Sequence, residues 1–418
     1  MTEHILVVGS GRELPGLLRQ TGAGVATSVI CRLEFLAKLR DVTGHHRVVA
    51  VRQDAPDAEW IALAAAVHAL HPITRIATFG ERDQDRAAAI GAALRVPTHD
   101  PSTVRWVHDK AAMRARLAEV GVDDTPAARV AGPAELAAFV AAHGTPCVVK
   151  PVRGAGSAGV AVVRHPTEVP AAFARAAGSF DGIPDAGVLV ERFHEGPQYS
   201  VEAFSEGGEH VIVAVTRKFS DAVSLVELGH VVPADLAPDQ YKAVSELVGQ
   251  VLDGLGIRFG PTHTELVLTG PGPRLIETHV RMGGDEIPAL VHDATGVDLT
   301  DHVVRQSAGQ SVLTELRRQV ADGWTGRYEA IWYASAPAHG TLVEIHGTEQ
   351  AALADGVRAV RPLVAPGAAL GELGSSDHRV AFARAGGDSA DAAVDAARTA
   401  VGRLGYLISV SDQGPSTV

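Results

Sequence analysis

The 418-residue sequence has little cysteine, few aromatic side chains and no long uninterrupted apolar run. Its two cysteines, Cys31 and Cys147, lie far apart and outside any CxxC pattern, which favours free buried thiols over a disulfide framework. No apolar run reaches the ~18 residues that a membrane helix requires. The N-terminus shows no basic segment followed by an apolar region and a cleavage site. We therefore expect a soluble, cytoplasmic protein without membrane contact.

Positive charge is also in deficit. The sequence contains 37 Lys and Arg against 49 Asp and Glu, which gives a formal net charge of −12. This balance opposes tight binding to a polyanion, so nucleic acid is not an expected partner. Hydrophobic residues at 46% and charged residues at 21% are typical of a globular α/β enzyme. The length exceeds what one compact core usually holds, so we predict two or three domains.

Residues 1–105 alternate short apolar runs with alanine-rich helical patterns, which predicts a Rossmann-like parallel sheet covered by helices. Gly9-Ser10-Gly11 follows the first predicted strand, but position 14 is leucine, so the third glycine of a dinucleotide-binding fingerprint is missing. We interpret this segment as a tight strand-to-helix turn, with phosphate binding as the alternative. At the other end, residues 326–412 predict a small α+β domain, followed by a mobile tail at 413–418.

The middle of the chain, residues 106–325, contains a predicted hairpin over 146–187 with the glycine-rich tip Gly154-Ala155-Gly156-Ser157-Ala158-Gly159. Lys150 ends the first strand of this hairpin, where a buried ammonium group requires a compensating anion. Glycine amides can approach phosphate oxygens closely because no side chain intervenes. The pattern predicts a lid over a nucleotide; the alternative is an ordinary hairpin with a salt-bridged lysine.

Two glutamates, Glu265 and Glu277, occur on consecutive predicted strands separated by a glycine- and proline-containing turn. Side chains two residues apart in a strand share a face, so His263 projects with Glu265, and His279 and Arg281 project with Glu277. Two carboxylates that face each other repel unless a cation lies between them, and Mg²⁺ held by carboxylates and ATP phosphates is the usual arrangement. We predict a metal site here; the alternative is a solvent-facing polar hairpin.

The segment after these glutamates offers groups for charge stabilisation. Arg281 can neutralise a developing oxyanion, and the backbone of Gly283 and Gly284 can supply amide donors.

Together these features resemble the ATP-grasp superfamily. Lys110, Lys150 with its glycine loop, Glu191-Arg192-Phe193 and the Glu265…Glu277-x-His279-x-Arg281 pattern occur in the order and approximate spacing of that superfamily, over roughly residues 1–300. Within it, the chain looks most like bacterial L-amino acid ligases, and the stretch 340–408 resembles their C-terminal domain. The motifs that carry this closer likeness are Gly196–Glu202, His263–Glu265 and Glu277–Asp285. The resemblance implies an α/β and α+β architecture: an N-terminal Rossmann-like domain, a central ATP-grasp domain and a small C-terminal domain.

The resemblance also implies roles for individual residues. The nucleotide would be contacted by Lys110, Lys150, Gly154, Gly156, Ser157, Ala158, Glu191, Arg192, Phe193 and Gln198. Gln198 stands where relatives often have a glutamate against the ribose. Glu265 and Glu277 would hold Mg²⁺, and Arg281 would stabilise the acyl phosphate. His279 stands where relatives usually have asparagine. Imidazole is a poorer Mg²⁺ ligand than an amide oxygen. The number of metal ions is therefore undecided, and Mn²⁺ is an alternative to Mg²⁺.

A polar segment, Thr216–His230, is interpreted as a loop over the acceptor site. Lys218, Glu227 and His230, together with His263, would contact the substrates; the alternative is a solvated loop.

The function implied is an ATP-dependent carboxylate–amine ligase that forms an amide or peptide bond through an acyl phosphate and releases ADP and phosphate. An amino acid would be joined to an amino acid or another amine. The alternatives are a biotin-carboxylase-like or purine-pathway ATP-grasp enzyme, a ligase that loads a carrier protein, a nucleotide-binding regulator without turnover, and a nicotinamide dehydrogenase. The sequence does not determine the oligomeric state. Because dimers are common among such ligases, a homodimer is one of the alternatives.

Overall fold

The computed structural model describes residues 3–178, 186–410 and 413–417. Its N-terminal part is a four-stranded parallel sheet in the order β3-β2-β1-β4, as predicted. The strands are β1 (His4–Val8), β2 (Ala26–Arg32), β3 (Arg47–Val51) and β4 (Arg75–Ala77), and the helices are α1 (Leu14–Leu18), α2 (Asp57–Leu70) and α3 (Gln84–Leu94).

Both faces of this parallel sheet are buried. Along β1, Leu6 and Val8 point into the core beneath α2 and α3, whereas Ile5 and Val7 point to the opposite side. The turn after β1 has positive φ angles at Gly9 (95°) and Gly11 (59°), which glycine adopts without strain. The Gly11 carbonyl accepts a hydrogen bond from the Leu14 amide, so the predicted tight strand-to-helix turn is confirmed.

A second, antiparallel sheet contains the predicted lid hairpin. Its order is β5-β8-β6-β7, and β6 pairs antiparallel with β7, as expected for the predicted hairpin. The strands are β5 (Ala127–Val130), β6 (Cys147–Pro151), β7 (Ala161–Val163) and β8 (Val188–Arg192). The helices of this part are α4 (Pro101–His108), α5 (Lys110–Glu119), α6 (Pro133–His143) and α7 (Val169–Ala176). Residues 179–185 of the predicted hairpin lie outside the described residues.

The largest sheet has eight antiparallel strands in the order β13-β12-β9-β10-β11-β14-β18-β16. These strands are β9 (Gln198–Glu206), β10 (Glu209–Ser220), β11 (Glu227–Val232), β12 (Gly260–Thr269), β13 (Gly272–His279), β14 (Tyr328–Ser335), β16 (Val357–Pro362) and β18 (Arg379–Gly387). The helices α8 (Pro238–Gly254), α9 (Ile287–Thr295), α10 (Leu299–Ser307) and α11 (Leu313–Asp322) occur within this part of the chain.

The predicted boundary between residues 325 and 326 falls just before β14. Because β14 pairs with β11, the predicted central and C-terminal domains share one continuous sheet. The remaining C-terminal elements form a small sheet in the order β17-β15-β19-β20. They are β15 (Gly340–His346), α12 (Thr348–Ala352), β17 (Ala369–Leu370), α13 (Ala390–Val401), β19 (Gly405–Val410) and β20 (Gln413–Thr417).

The chain end differs from the predicted mobile tail. Residues 413–417 form a strand that pairs with β19, so this part of the tail is an edge of the small sheet. Over the described ranges, no helix has the length and apolar character needed to cross a bilayer.

We predict that Gly229→Ala weakens the junction between β11 and β14. Gly229 lies opposite Trp332 in the ladder, and a Cβ atom there would collide with the Trp332 ring and lie 2.8 Å from the Ile331 carbonyl oxygen. Such overpacking costs roughly 1–3 kcal/mol of the free energy of unfolding, measurable by urea denaturation. The control is Gly249→Ala in α8, where a Cβ meets nothing within 4 Å. An equal loss in the two variants would contradict the prediction.

Candidate active site

The two predicted glutamates lie directly opposite each other on β12 and β13. The register pairs Glu265 with Glu277 and His263 with His279. Directly paired residues of an antiparallel ladder project to the same face of the sheet. The predicted common face of these acidic side chains is therefore confirmed.

This face borders a cavity between the eight-stranded sheet and the lid hairpin. The predicted residues that line it are Lys110, Lys150, Gly154, Gly156, Ser157, Ala158, Glu191, Arg192, Phe193, Gln198, Glu227, Glu265, Glu277, His279 and Arg281. The predicted residues outside its lining are Lys218, His230, His263, Gly283 and Gly284. Val148, Val160, Val267 and Leu275 add apolar walls that the sequence analysis did not identify. The cavity thus combines an apolar part with a highly charged part.

Glu191 is the centre of a buried ion network beneath the lid. Lys150 Nζ lies 2.6 Å from Glu191 Oε1, and Arg114 Nε lies 2.9 Å from Glu191 Oε2. Arg114 also contacts Asp123 at 3.1 Å. Burial raises the pKa of Glu191, but Arg114 and Lys150 outweigh that effect and lower it to about 2. The Glu191 side chain therefore serves the internal network, which leaves only its backbone for a nucleotide.

Two residues predicted to contact the nucleotide, Arg192 and Phe193, use their backbone amides within the fold. The Arg192 amide donates to the Pro126 carbonyl oxygen at 3.0 Å, and the Phe193 amide donates to that of Pro146 at 3.3 Å. These two amides could donate hydrogen bonds to adenine only if they released the carbonyl oxygens of Pro126 and Pro146.

Each of the two facing glutamates has a lysine partner. Lys110 Nζ lies 2.9 Å from Glu277 Oε2, and Lys218 Nζ lies 2.6 Å from Glu265 Oε2 and 3.2 Å from Glu227 Oε1. Burial lowers the pKa of Lys218, yet Glu265 and Glu227 raise it overall. Lys218 lies on β10, and Glu227 and His230 lie on β11, so the prediction of a loop at these residues is wrong. Lys218 contacts acidic side chains of the site, and its predicted substrate contact stays a prediction.

The two carboxylates have the donor chemistry that a hard divalent cation prefers. Within residues 3–178, 186–410 and 413–417, Glu277 Oε2 has no hydrogen-bond partner with suitable angles, although its ion pair with Lys110 is short. Across the described residues, no three His, Cys, Asp or Glu side chains form a ready metal-binding group. Glu265 and Glu277 therefore fit a metal whose other ligands come from a phosphate or water.

His279 differs from its predicted role as a metal ligand. Its Nε2 lies 3.3 Å from Glu277 Oε1, and its Nδ1 lies 3.4 Å from Glu81 Oε2. Burial lowers the pKa of His279, but Glu277 and Glu81 raise it overall. The structure thus places the His279 ring between the carboxylates of Glu81 and Glu277.

Glu81 also holds Arg281, and the sequence analysis missed it. Arg281 Nε lies 2.8 Å from Glu81 Oε2, while Arg281 itself lines the cavity. Glu81 follows β4 at the carboxyl edge of the parallel sheet, where ligand-binding residues commonly lie. The sequence signal that could have identified Glu81 is its position shortly after β4.

The Gly283 amide is not free for an oxyanion, contrary to its predicted role. It donates to Glu202 Oε2 at 3.1 Å, and a Cβ at this position would lie 2.9 Å from the same oxygen. The Gly284 carbonyl accepts from the Ile287 amide at 2.9 Å. These glycines shape the chain between β13 and α9.

His263 and His230 are also engaged within the protein. His263 contacts Glu202 at 2.6 Å and Glu265 at 3.3 Å. Although burial lowers the pKa of His263, Glu202 and Glu265 raise it to about 9. His230 Nε2 lies 2.9 Å from Asp285 Oδ2. Both histidines thus contact carboxylates within the protein, and their predicted substrate contacts stay predictions.

The glycine-rich tip contacts the rest of the protein at three points. The Gly156 carbonyl accepts from the Ser376 amide at 3.0 Å, and Ser157 Oγ donates to the Leu225 carbonyl at 3.0 Å. Lys110 Nζ donates to the Gly154 carbonyl at 3.0 Å. The tip therefore closes over the cavity against both neighbouring parts of the chain.

Comparisons with known proteins agree with this arrangement. Residues 143–289 match the family model of the ATP-grasp domain, and residues 332–408 match L-amino acid ligase C-terminal domain 2. The uncharacterized protein y4rH of Sinorhizobium fredii is 30% identical over 328 residues, which cover 77% of this chain and 66% of that protein. Dapdiamide A synthase of Enterobacter agglomerans is 27% identical over 246 residues, 56% of each chain. The chain thus spans less than two thirds of these two relatives.

A solved structure has the same fold over nearly the whole chain. The crystal structure of L-amino acid ligase from Bacillus licheniformis superimposes with a TM-score of 0.80 at 19% identity, covering 97% of this chain and 98% of that one.

We predict that Glu191→Gln lowers the free energy of unfolding by ~3–5 kcal/mol, because it leaves two buried cations without their shared carboxylate. Urea denaturation measures the change. The matched control is Glu195→Gln, which removes an exposed ion pair with Arg164 at 3.1 Å. Exposed pairs contribute ~0–1 kcal/mol, so a loss at Glu191 within that range would contradict the prediction.

Proposed function

Because the chain belongs to the ATP-grasp superfamily and contains an L-amino acid ligase C-terminal domain, we propose that it is an ADP-forming carboxylate–amine ligase. One observation carries the proposal. Glu265 and Glu277 face each other in a cavity that is covered by the glycine loop and that also holds Lys110 and Lys150. Dapdiamide A synthase and the L-amino acid ligase support amide bond formation between amino acids as the reaction type.

The reaction needs activation because a carboxylate oxygen is a poor leaving group. ATP supplies it when the γ-phosphoryl group passes to the substrate carboxylate with loss of ADP. The amine then attacks the acyl phosphate, and the tetrahedral intermediate collapses with loss of phosphate. Alignment and charge neutralisation are the main demands on the protein.

The residues of the cavity meet those demands. Lys110 and Lys150 neutralise phosphate charge, and Arg281 stabilises the acyl phosphate and the tetrahedral oxyanion. Both lysines have carboxylate partners in the structure, at 2.9 and 2.6 Å, so a nucleotide would share or take over these contacts. The glycine loop keeps water from the acyl phosphate when it is closed.

Glu265 and Glu277 are the residues that would hold Mg²⁺, with nucleotide oxygens completing its coordination. When bound, the ion neutralises the phosphate charge that grows during transfer. Mn²⁺ is the alternative ion, because His279 stands near the predicted metal site. The contacts of this imidazole with Glu81 and Glu277 instead favour an ion bound by carboxylates alone.

The proposed substrates are small carboxylates and amines, with amino acids as the leading class. The predicted cytoplasmic location and homodimer stay predictions.

The proposal is tested by measuring ADP and phosphate release with MgATP and the twenty amino acids, singly and in pairs. We expect release that depends on amino acid. Separate arms contain bicarbonate, formate and a carrier protein, so that release in one of those arms alone would favour the corresponding alternative. ATP binding without ADP release in every arm would identify a nucleotide-binding regulator instead.

We predict that Glu277→Gln retains less than ~10% of the wild-type rate, because an amide gives a divalent ion much less charge compensation than a carboxylate. The readout is ADP release at saturating MgATP. The control, Glu349→Gln on the exposed surface of α12, should keep the wild-type rate. A Glu277→Gln rate close to that of the control would contradict the metal-ligand role.

A further inference from the structure

A second cavity opens beside the nucleotide cavity, and we call it the arginine cavity. It shares Lys110, Gly154 and His279 with the first cavity, so a substrate held there reaches the site of phosphoryl transfer. Its far wall is the carboxyl edge of the parallel sheet, where Arg32 ends β2 and Gln53 follows β3. Ligands of open α/β sheets bind at this edge.

Most of the charges along the arginine cavity are already matched inside the protein. Arg32 Nε lies 2.9 Å from Asp83. Arg86 contacts Asp57 at 3.1 Å and Asp85 at 2.7 Å. These pairs leave little net charge on that part of the wall.

Arg82 and Arg153 are different. Both line the cavity, and neither guanidinium has a hydrogen bond or ion pair anywhere in residues 3–178, 186–410 and 413–417. Arg82 follows β4 and lies 5.6 Å above the Phe35 ring. Arg153 is half-buried and lies next to the glycine-rich tip. Two positive charges without a partner, the exposed Arg82 and the half-buried Arg153, thus border one cavity from two separate parts of the fold.

The acidic residues of the cavity do not compensate these charges. Glu81 is engaged by His279 and Arg281, and Asp85 is engaged by Arg86. Guanidinium groups bind carboxylate and phosphate through paired, charge-assisted hydrogen bonds. The unmatched groups therefore fit an anion that arrives with the substrate.

We infer that the carboxylate substrate carries a second anionic group, a carboxylate or a phosphate, which Arg82 and Arg153 bind while the first carboxylate is activated beside Lys110. This inference rests on the proposed ligase function. It also gives the lid a direct contact with substrate, because Arg153 adjoins the loop that covers the nucleotide cavity.

The first test compares substrates that differ only in the second anion. The pairs are L-glutamate with L-glutamine and O-phospho-L-serine with L-serine, each assayed for kcat/KM in ADP release with one fixed amine. We expect ~10-fold or greater preference for the anionic member, the range that charge-assisted hydrogen bonds produce. The pair with the larger ratio identifies the anion as carboxylate or phosphate.

Equal or better turnover of both neutral members would overturn the inference and leave the ligase function standing. Absence of ADP release with every carboxylate would remove the ligase function and the inference together.

The second test substitutes the two arginines. Arg82→Gln and Arg153→Gln should each lower the anionic preference several-fold, and Arg153→Glu should shift it towards a cationic side chain such as that of lysine. The control is Arg105→Gln, which removes one exposed charge from α4 and should leave the ratio unchanged. An Arg153→Gln variant with a raised KM for ATP and an unaltered substrate ratio would assign this guanidinium to the nucleotide and overturn the inference.

Discussion

The structure depends on the pairing of Glu265 with Glu277 across β12 and β13. Two carboxylates held on one face of a sheet repel each other, so this register is stable only when cations approach from elsewhere. Lys218 comes from β10, and Lys110 comes from the first turn of α5. The acidic pair therefore determines which elements must lie around the cavity. The packing of the fold and the chemistry of the site both require cations beside these two carboxylates.

The same requirement recurs beneath the lid. Glu191 on β8 is compensated by Lys150 on β6 and by Arg114 on α5, and Arg114 also donates to the Leu275 carbonyl on β13 at 2.7 Å. One guanidinium thus joins the sheet of the lid hairpin, α5 and the eight-stranded sheet. A buried charge costs far more alone than when paired, so these contacts favour one mutual arrangement of the three elements.

Local patterns predicted the elements well and the long-range partners poorly. Alternation around Glu265 and Glu277 was enough to predict their common face, because strand periodicity is a local property. The apolar runs predicted strands at 5–8, 48–51 and 76–78 but not β2, because Thr27 and Ser28 interrupt its apolar run. Glu81 was missed and Glu202 was given no role, because their partners, Arg281 and His263, lie 200 and 61 residues away. Without these partners, His263 and the Gly283 amide seemed available to a ligand.

The shared eight-stranded sheet gives the C-terminal part a role at the site that a separate domain would not have. Strand β14 continues the sheet that carries Glu265. The segment before β18 brings the Ser376 amide to the Gly156 carbonyl, and Arg379, the first residue of β18, lies 2.6 Å from Asp285. The glycine-rich tip is held there by single hydrogen bonds, whereas the sheet is held by a full ladder and a buried core. Opening the cavity therefore costs least at the tip, and the C-terminal part supplies a fixed surface against which it closes.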